Sequence, residues 1–238
     1  MLYFLDSAKL DLIEKTIKTY EIDGVTTNPI ILARDIEEGM TLKKLLLKIR
    51  ELTTGKKLFV QVTSDKADEM AEDARKIVST LGGDLSIKVP LNSEGIEAIK
   101  LLKKEGISTT ATACYTTSQA LLAAKAGADF VAPYISHIDN LSEDGPVKAG
   151  EMARQLYEQG FSTQVLAASF RTAAQVERCI AEGVTSVTIT AEMFDILSSH
   201  PGTDRECNNF REKWNERFDK GIRELLERNL SKILDAEE

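Results

Sequence analysis

Short apolar or alternating runs recur along this chain, and each is followed by a longer stretch in which apolar residues return every three or four positions. The runs are LYFL (2–5), GVTTN (24–28), KLFVQV (57–62), LSIKVP (85–90), STTATA (108–113), FVAPYI (130–135), QVLAAS (164–169) and SVTITA (186–191). Their β-branched and apolar content predicts strands. The stretches between them, such as 65–81, 93–105 and 172–182, predict helices, several opening on Ser, Asp or Asn and closing on glycine. Strands that alternate with helices form a parallel sheet, and eight such repeats predict a closed (β/α)8 TIM barrel. An open doubly wound sheet is the competing architecture. Its strands, however, tend to be apolar on both faces, whereas several of these are polar on one.

After the eighth run, Pro201 and Gly202 break the pattern, and a different one begins near Thr203. Phe210, Trp214, Phe218, Ile222, Leu225, Leu226, Leu230 and Ile233 make an apolar stripe at helical spacing down the rest of the chain. A helix of some 30 residues is about 45 Å long, roughly a barrel's width. Two readings stand: the helix folds across its own barrel, or it reaches a neighbouring subunit and makes the chain a homo-oligomer. One domain is expected over residues 1–238, with about 203–238 as its helical extension.

Alternation places one polar face inside the barrel. In LSIKVP, Leu85, Ile87 and Val89 project to one side while Ser86 and Lys88 project to the other. The inward set across the strands comprises Asp6, Thr26, Asn28, Gln61, Lys88, Thr110, Thr112, Tyr134 and Ser169, most of them near a strand's carboxyl end, where barrel enzymes keep their chemistry. Ser, Thr, Asn or Asp just after a strand more often caps the next helix. Capping does not account for Lys88 or Gln61.

Composition narrows the partner. Of the 238 residues 42% are hydrophobic and 29% charged, an ordinary globular balance, and the formal charge of -8 disfavours nucleic acid and anionic membranes. The apolar start MLYFLDSAKL is too short and too soon acidic for a signal peptide, and no run approaches a spanning helix, so a cytoplasmic protein is expected. Cys114, Cys179 and Cys207 form no CxxC pair and are read as buried thiols. With only His137 and His200, metal sites and a Ser-His-Asp triad are poorly supplied, and neither GxxxxGK[ST] nor GxGxxG occurs. No metal or cofactor is expected, and the ligand is expected to be small.

An inward lysine among hydroxyls and one carboxylate has two readings. It is a structural ion pair with Asp6, or it is a desolvated amine able to attack a carbonyl and form a Schiff base. The surrounding motifs bear on the choice. LYFLDS at the start, GVTTNP (24–29), SIKVP (86–90), VAPYISHID (131–139) and AASFRT (167–172) resemble, in order and spacing, the transaldolase family, and most of all its short subgroup of fructose-6-phosphate aldolases. The family fold is a (β/α)8 barrel with the Schiff-base lysine on the fourth strand, and Lys88 lies on the fourth strand counted above.

The resemblance implies roles. Lys88 would form the iminium with a dihydroxyacetone unit, Asp6 would assist proton transfer, and Thr26 and Asn28 would bind donor hydroxyls. Gln61 and Tyr134 stand where transaldolases carry glutamate and phenylalanine. With Thr112 and a water held by Gln61, Tyr134 would protonate the enamine and release free dihydroxyacetone. Ser169 and Arg171 would bind phosphate beside the free N–H groups of the next helix. His137 replaces an arginine common in the family, and Ile30 replaces a frequent serine; a histidine lacks arginine's bidentate fork and weakens the expected phosphate site. The implied partners are ketose and aldose phosphates, and the implied assembly is a pentamer or decamer. Aldol cleavage is favoured over transfer of a dihydroxyacetone unit, and both over a non-catalytic sugar-phosphate binder.

Overall fold

The computed structural model describes residues 1–226, which divide into one unit of Met1–Phe194 and a second that begins at Asp195. The first unit opens with β1 (Leu2–Asp6), α1 (Leu10–Thr19) and β2 (Gly24–Thr26), followed by two helices, α2 (Pro29–Asp35) and α3 (Leu42–Leu52). It continues through β3 (Lys57–Gln61), α4 (Ala67–Leu81), β4 (Leu85–Pro90), α5 (Ser93–Lys104), β5 (Thr109–Cys114) and α6 (Thr117–Ala126). After β6 (Phe130–Pro133) come α7 (Ile135–Asp139) and α8 (Gly145–Glu158), then β7 (Gln164–Ala167), α9 (Ala173–Ala181), β8 (Ser186–Ile189) and α10 (Ala191–Ser198). Every strand pairs in parallel with the next and β8 pairs with β1, which closes the expected eight-stranded barrel.

Four strands stop two residues earlier than alternation predicts: β2 at Thr26, β6 at Pro133, β7 at Ala167 and β8 at Ile189. The chain there leaves the sheet to enter a helix, and polar residues that could continue the strand are used as caps. Asn28 Oδ1 accepts from Ile31 N at 2.9 Å, with Pro29 in the first turn, and Thr190 Oγ1 accepts from Met193 N at 3.3 Å. β5 carries a bulge instead. Its register against β6 shifts between Thr112 and Cys114, with Ala113 at φ 58°. Gly24 is demanded by a close approach, since a Cβ there would lie 1.9 Å from the Lys57 carbonyl oxygen.

Outward-facing Leu5, Val25, Leu58, Ile87, Val89, Val131 and Val187 are buried beneath the helices. Inside the barrel, the alternation that turns Asp6 and Gln61 inward also turns Phe4 and Phe59 inward, two positions nearer the strands' amino ends. Phe4, Phe59, Phe130 and Leu166 form one buried cluster, with Phe4–Phe59 rings 5.0 Å apart and Phe59–Phe130 rings 5.4 Å apart, both edge to face. This dry layer floors the space above it.

The second unit begins within α10 and contains α11 (Pro201–Arg217). Pro201 and Gly202 start this helix rather than precede it: proline suits the first turn, and His200 Nδ1 accepts from Gly202 N at 3.0 Å. The helix is also shorter than the stripe predicts. It ends at Arg217, Trp214 O accepts from Phe218 N at 2.8 Å, and residues 222–226 are helical again after a break. Phe210, Phe218, Ile222 and Leu226 are exposed, whereas Leu230 and Ile233 lie outside the described residues. Cys207 is exposed on α11, contrary to the expectation of three buried thiols; Cys114 and Cys179 are buried.

Phe59 touches both of its aromatic neighbours, so Phe59→Ala leaves a cavity that the closed barrel cannot collapse. It is expected to lower unfolding free energy by about 3–5 kcal/mol in urea denaturation, with little change in the slope.

Candidate active site

At the carboxyl end of the barrel lies a cavity of about 310 Å³ whose walls include Asp6 from β1, Gln61 from β3, Lys88 from β4, Tyr134 after β6 and Thr188 from β8. The segments following strands supply Asn28 and Ser169 from loops, Ile30 from α2 and His137 from α7. Seven of the ten residues singled out from the sequence therefore share one cavity: Asp6, Asn28, Gln61, Lys88, Tyr134, His137 and Ser169.

Two of the others stand one bond away from it. Thr26 is fully buried, not a wall residue, and its Oγ1 donates to Asp6 Oδ1 at 2.6 Å. Thr112, 1% exposed, is hydrogen-bonded to the Tyr134 hydroxyl at 2.7 Å. Asn28 both caps a helix and lines the cavity. Its Oδ1 caps α2, which leaves Nδ2 as the group it can offer to the cavity.

Arg171 is exposed and outside the cavity wall. The backbone donors next to it differ from expectation too. Gln175 Oε1 accepts from Arg171 N at 2.8 Å and Thr172 N at 3.2 Å, and Thr172 Oγ1 accepts from Gln175 N at 3.3 Å. This capping box occupies N–H groups that the sequence reading left free for an anion. Gln175 Nε2 then donates to Asp139 Oδ2 at 2.5 Å, while Asp139 Oδ1 accepts from Gly145 N at 2.7 Å, so Asp139 ties α7, α8 and α9 together.

Ser169 sits at φ 61°, a left-handed conformation that costs a non-glycine residue about 1–2 kcal/mol. Ser136 holds it there. Its N–H donates to Ser169 O at 2.9 Å, and the two hydroxyls are 3.0 Å apart. Ser136 is buried and was not foreseen, although it belongs to the quoted VAPYISHID stretch. On the same wall His137 is exposed, with its ring edge-on to Tyr134 at 5.4 Å and Nδ1 3.4 Å from the Tyr115 hydroxyl. Thr188 was also missed. Alternation in SVTITA turns Ser186 and Thr188 inward, so the signal was present in strand eight.

Lys88 is 5% exposed and donates from Nζ to the Thr27 carbonyl at 3.0 Å, not to Asp6. Burial lowers its pKa from the ordinary value, against the opposing pull of the Asp6 charge. Burial likewise raises the Asp6 pKa, against the influence of Lys88 and the Thr26 hydrogen bond. Burial also raises the Tyr134 pKa, which keeps the phenol protonated. The cavity thus favours a neutral amine beside a phenol that holds its proton, a pairing suited to attack on a carbonyl followed by proton delivery.

Because the folded protein disfavours the lysine's charge, Lys88 costs stability wherever the unfolded chain would be protonated, which means below 10.5. Lys88→Met keeps much of the volume and removes that cost. Its melting temperature at pH 7 is expected to exceed that of the wild type, and the gain should shrink as pH rises toward 10.5; a lower melting temperature at pH 7 would contradict the burial argument.

The profile of the family described as transaldolase/fructose-6-phosphate aldolase matches residues 3–236. A probable fructose-6-phosphate aldolase of Streptococcus pneumoniae is 37% identical over 215 residues, covering 90% of this chain and 96% of its own. A probable transaldolase of Lactiplantibacillus plantarum is 34% identical over 214 residues (90% and 96%), and one of Thermoplasma acidophilum is 36% identical over 215 (90% and 95%). Among solved structures, a mandelate oxidase mutant with a monooxide FMN adduct superposes with a TM-score of 0.54 at 12% identity, covering 83% of this chain and 67% of that one; this likeness concerns the barrel alone. With a family match over nearly the whole length and relatives above 30% identity, the chain belongs to the transaldolase/fructose-6-phosphate aldolase family.

Proposed function

We propose that this protein is a Schiff-base aldolase that reversibly cleaves fructose 6-phosphate or a similar ketose phosphate to dihydroxyacetone and glyceraldehyde 3-phosphate. The observation that carries the reading is the buried Lys88 amine sharing a cavity with a Tyr134 hydroxyl bonded to Thr112. The neutral amine adds to the ketone carbonyl, and loss of water with uptake of one proton from Asp6 gives an iminium. As the C3–C4 bond breaks, its electron pair moves into the iminium to form an enamine, and the C4 hydroxyl loses its proton to Asp6 as that carbon becomes the aldehyde. Protonation of the enamine at C3 from Tyr134, directly or through a water held with Gln61, followed by hydrolysis, frees dihydroxyacetone and Lys88. Among the described residues none is hydrogen-bonded to the Gln61 side chain, which leaves its amide available for such a water. No cofactor is invoked.

Asn28 would hold donor hydroxyls through Nδ2, with Thr26 acting on Asp6 rather than on substrate. Ser169, His137 and Arg171 would meet the phosphate end, and with the α9 capping box already formed they would do so through side chains. The reading includes a homo-oligomer, a pentamer or decamer, in keeping with the exposed apolar residues of the C-terminal unit, and a cytoplasmic setting, in keeping with three unpaired cysteines. A transaldolase moving the same unit between sugar phosphates is the second reading, favoured by the names of two of the relatives above.

Borohydride added with dihydroxyacetone or fructose 6-phosphate is expected to leave a reduced adduct on Lys88, located by peptide mass spectrometry, since only an iminium becomes a stable secondary amine. A modified lysine elsewhere would refute the mechanism. The two readings separate in Tyr134→Phe. Removing the proton donor should depress release of free dihydroxyacetone from fructose 6-phosphate by on the order of 10²-fold while transfer to an added aldose phosphate falls much less. Equal losses would show that Tyr134 does not deliver the proton.

A further inference from the structure

Three strands that lie side by side, β8, β1 and β2, meet in one hydrogen-bonded row inside the barrel. In the register, Phe4 pairs with Thr188 and Asp6 with Thr26, so both threonines flank the Asp6 strand. Thr26 Oγ1 is 2.6 Å from Asp6 Oδ1 and 2.5 Å from Thr188 Oγ1. Thr26 is sealed from solvent, whereas Thr188, 3% exposed, is a wall of the catalytic cavity. The row therefore runs from the carboxylate, through a hydroxyl that substrate cannot reach, to one that it can.

Counting protons fixes the direction of the row. Each hydroxyl has a single proton to donate, and an ionised carboxylate can only accept. With Asp6 ionised, the Thr26 proton goes to Asp6, so the contact at 2.5 Å is a bond only if Thr188 donates to Thr26. Thr188 then faces the cavity with lone pairs alone and offers an acceptor. With a proton on Asp6 Oδ1 the row reverses: Asp6 donates to Thr26, Thr26 to Thr188, and Thr188 turns its O–H toward the cavity. A bond to a charged acceptor is stronger than one between neutral groups, and bonds in series reinforce each other.

We propose that Thr188 is a positioning residue of this site, which acts through Thr26 to hold and charge-stabilise Asp6 and which presents to the substrate an acceptor or a donor according to whether Asp6 is ionised. The inference rests on the Schiff-base reading above. It gives Asp6 a readout on the opposite side of β1: an ionised Asp6 comes with an acceptor for a substrate hydroxyl, and a protonated Asp6 comes with a donor for an oxygen that is gaining charge. No atom is consumed, because the row only reorients protons already present. The other titratable groups acting on Asp6 are Lys88 from β4, Arg34 and Asp35 from α2, and Tyr134 after β6. These are left in place by substitution at 188.

The test compares wild type, Thr188→Val and Thr188→Ser in the pH dependence of kcat/KM for fructose 6-phosphate cleavage, with borohydride trapping by dihydroxyacetone run in parallel. Valine keeps the shape but removes the proton that Thr26 accepts, so the Asp6 carboxylate loses support. The acid limb is expected to move up by about half a pH unit and kcat/KM to fall roughly three- to tenfold, while serine restores both. Adduct formation on Lys88 is expected in all three proteins. If the valine protein does not fold, Thr188→Ala removes the same hydroxyl with less bulk and is expected to show the same shift. An acid limb that coincides with wild type, or a serine variant that fails to restore it, would reduce Thr188 to packing and overturn the proposal while the adduct stands. Absence of adduct in the wild type would overturn the Schiff-base reading instead.

Discussion

One buried amine governs the arrangement of the barrel's upper half. An ammonium moved out of water and left incompletely paired is expensive, and the fold tolerates Lys88 because its proton can leave. The Thr27 carbonyl gives its nitrogen one hydrogen bond, and the Asp6 carboxylate is occupied by Thr26. A tight Lys88–Asp6 ion pair would have held the proton on nitrogen and left a structural lysine. Directing the amine to a neutral carbonyl leaves burial to lower its pKa, while the Thr26 hydroxyl donates to the Asp6 carboxylate and opposes the rise that burial imposes there.

That electrostatic state depends on the layer beneath. Phe4, Phe59, Phe130 and Leu166 come from β1, β3, β6 and β7, so no single strand can supply the dry floor. Aromatic rings packed edge to face exclude water from below, and closure of the sheet excludes it from the sides. The cavity is then open in one direction, toward the loops that follow the strands. Stability and chemistry oppose each other here: the apolar layer stabilises the barrel, and its dryness is what makes the charge above it costly.

Around the rim, single residues serve the helices and the cavity together. Asn28 spends its oxygen on the first turn of α2 and keeps its amide nitrogen for the cavity. The loop after β7 is held less comfortably. Ser169 takes a left-handed conformation and is secured from β6's side by two bonds from Ser136, while the following helix closes its own first turn with Thr172 and Gln175. Strain borne by a residue that its surroundings over-determine is typical of positions where the direction of a side chain matters.

Alternation and helical spacing were enough to count eight βα units and to place Lys88 inward on the fourth strand, because side-chain direction in a strand is a property of the backbone itself. The motifs likewise located Asp6, Gln61 and Tyr134 near strand ends that a parallel barrel must bring to one face. Bonds between strands were out of reach. Whether Thr26 faces substrate or carboxylate depends on a 2.6 Å contact across β1 and β2, and Thr188 matters only because closure brings β8 against β1, residues separated by most of the chain. The α9 N–H groups were left free in the sequence reading although Thr172 and Gln175 stand at capping-box spacing, so that signal was present and unused. The stripe from Phe210 onward predicted one long helix, yet periodicity records which face is apolar and not where the chain breaks, and α11 ends at Arg217. The sequence alone determined which side chains the barrel turns inward, since that follows from local geometry; only the tertiary structure decided which of them touch, since that follows from register and closure.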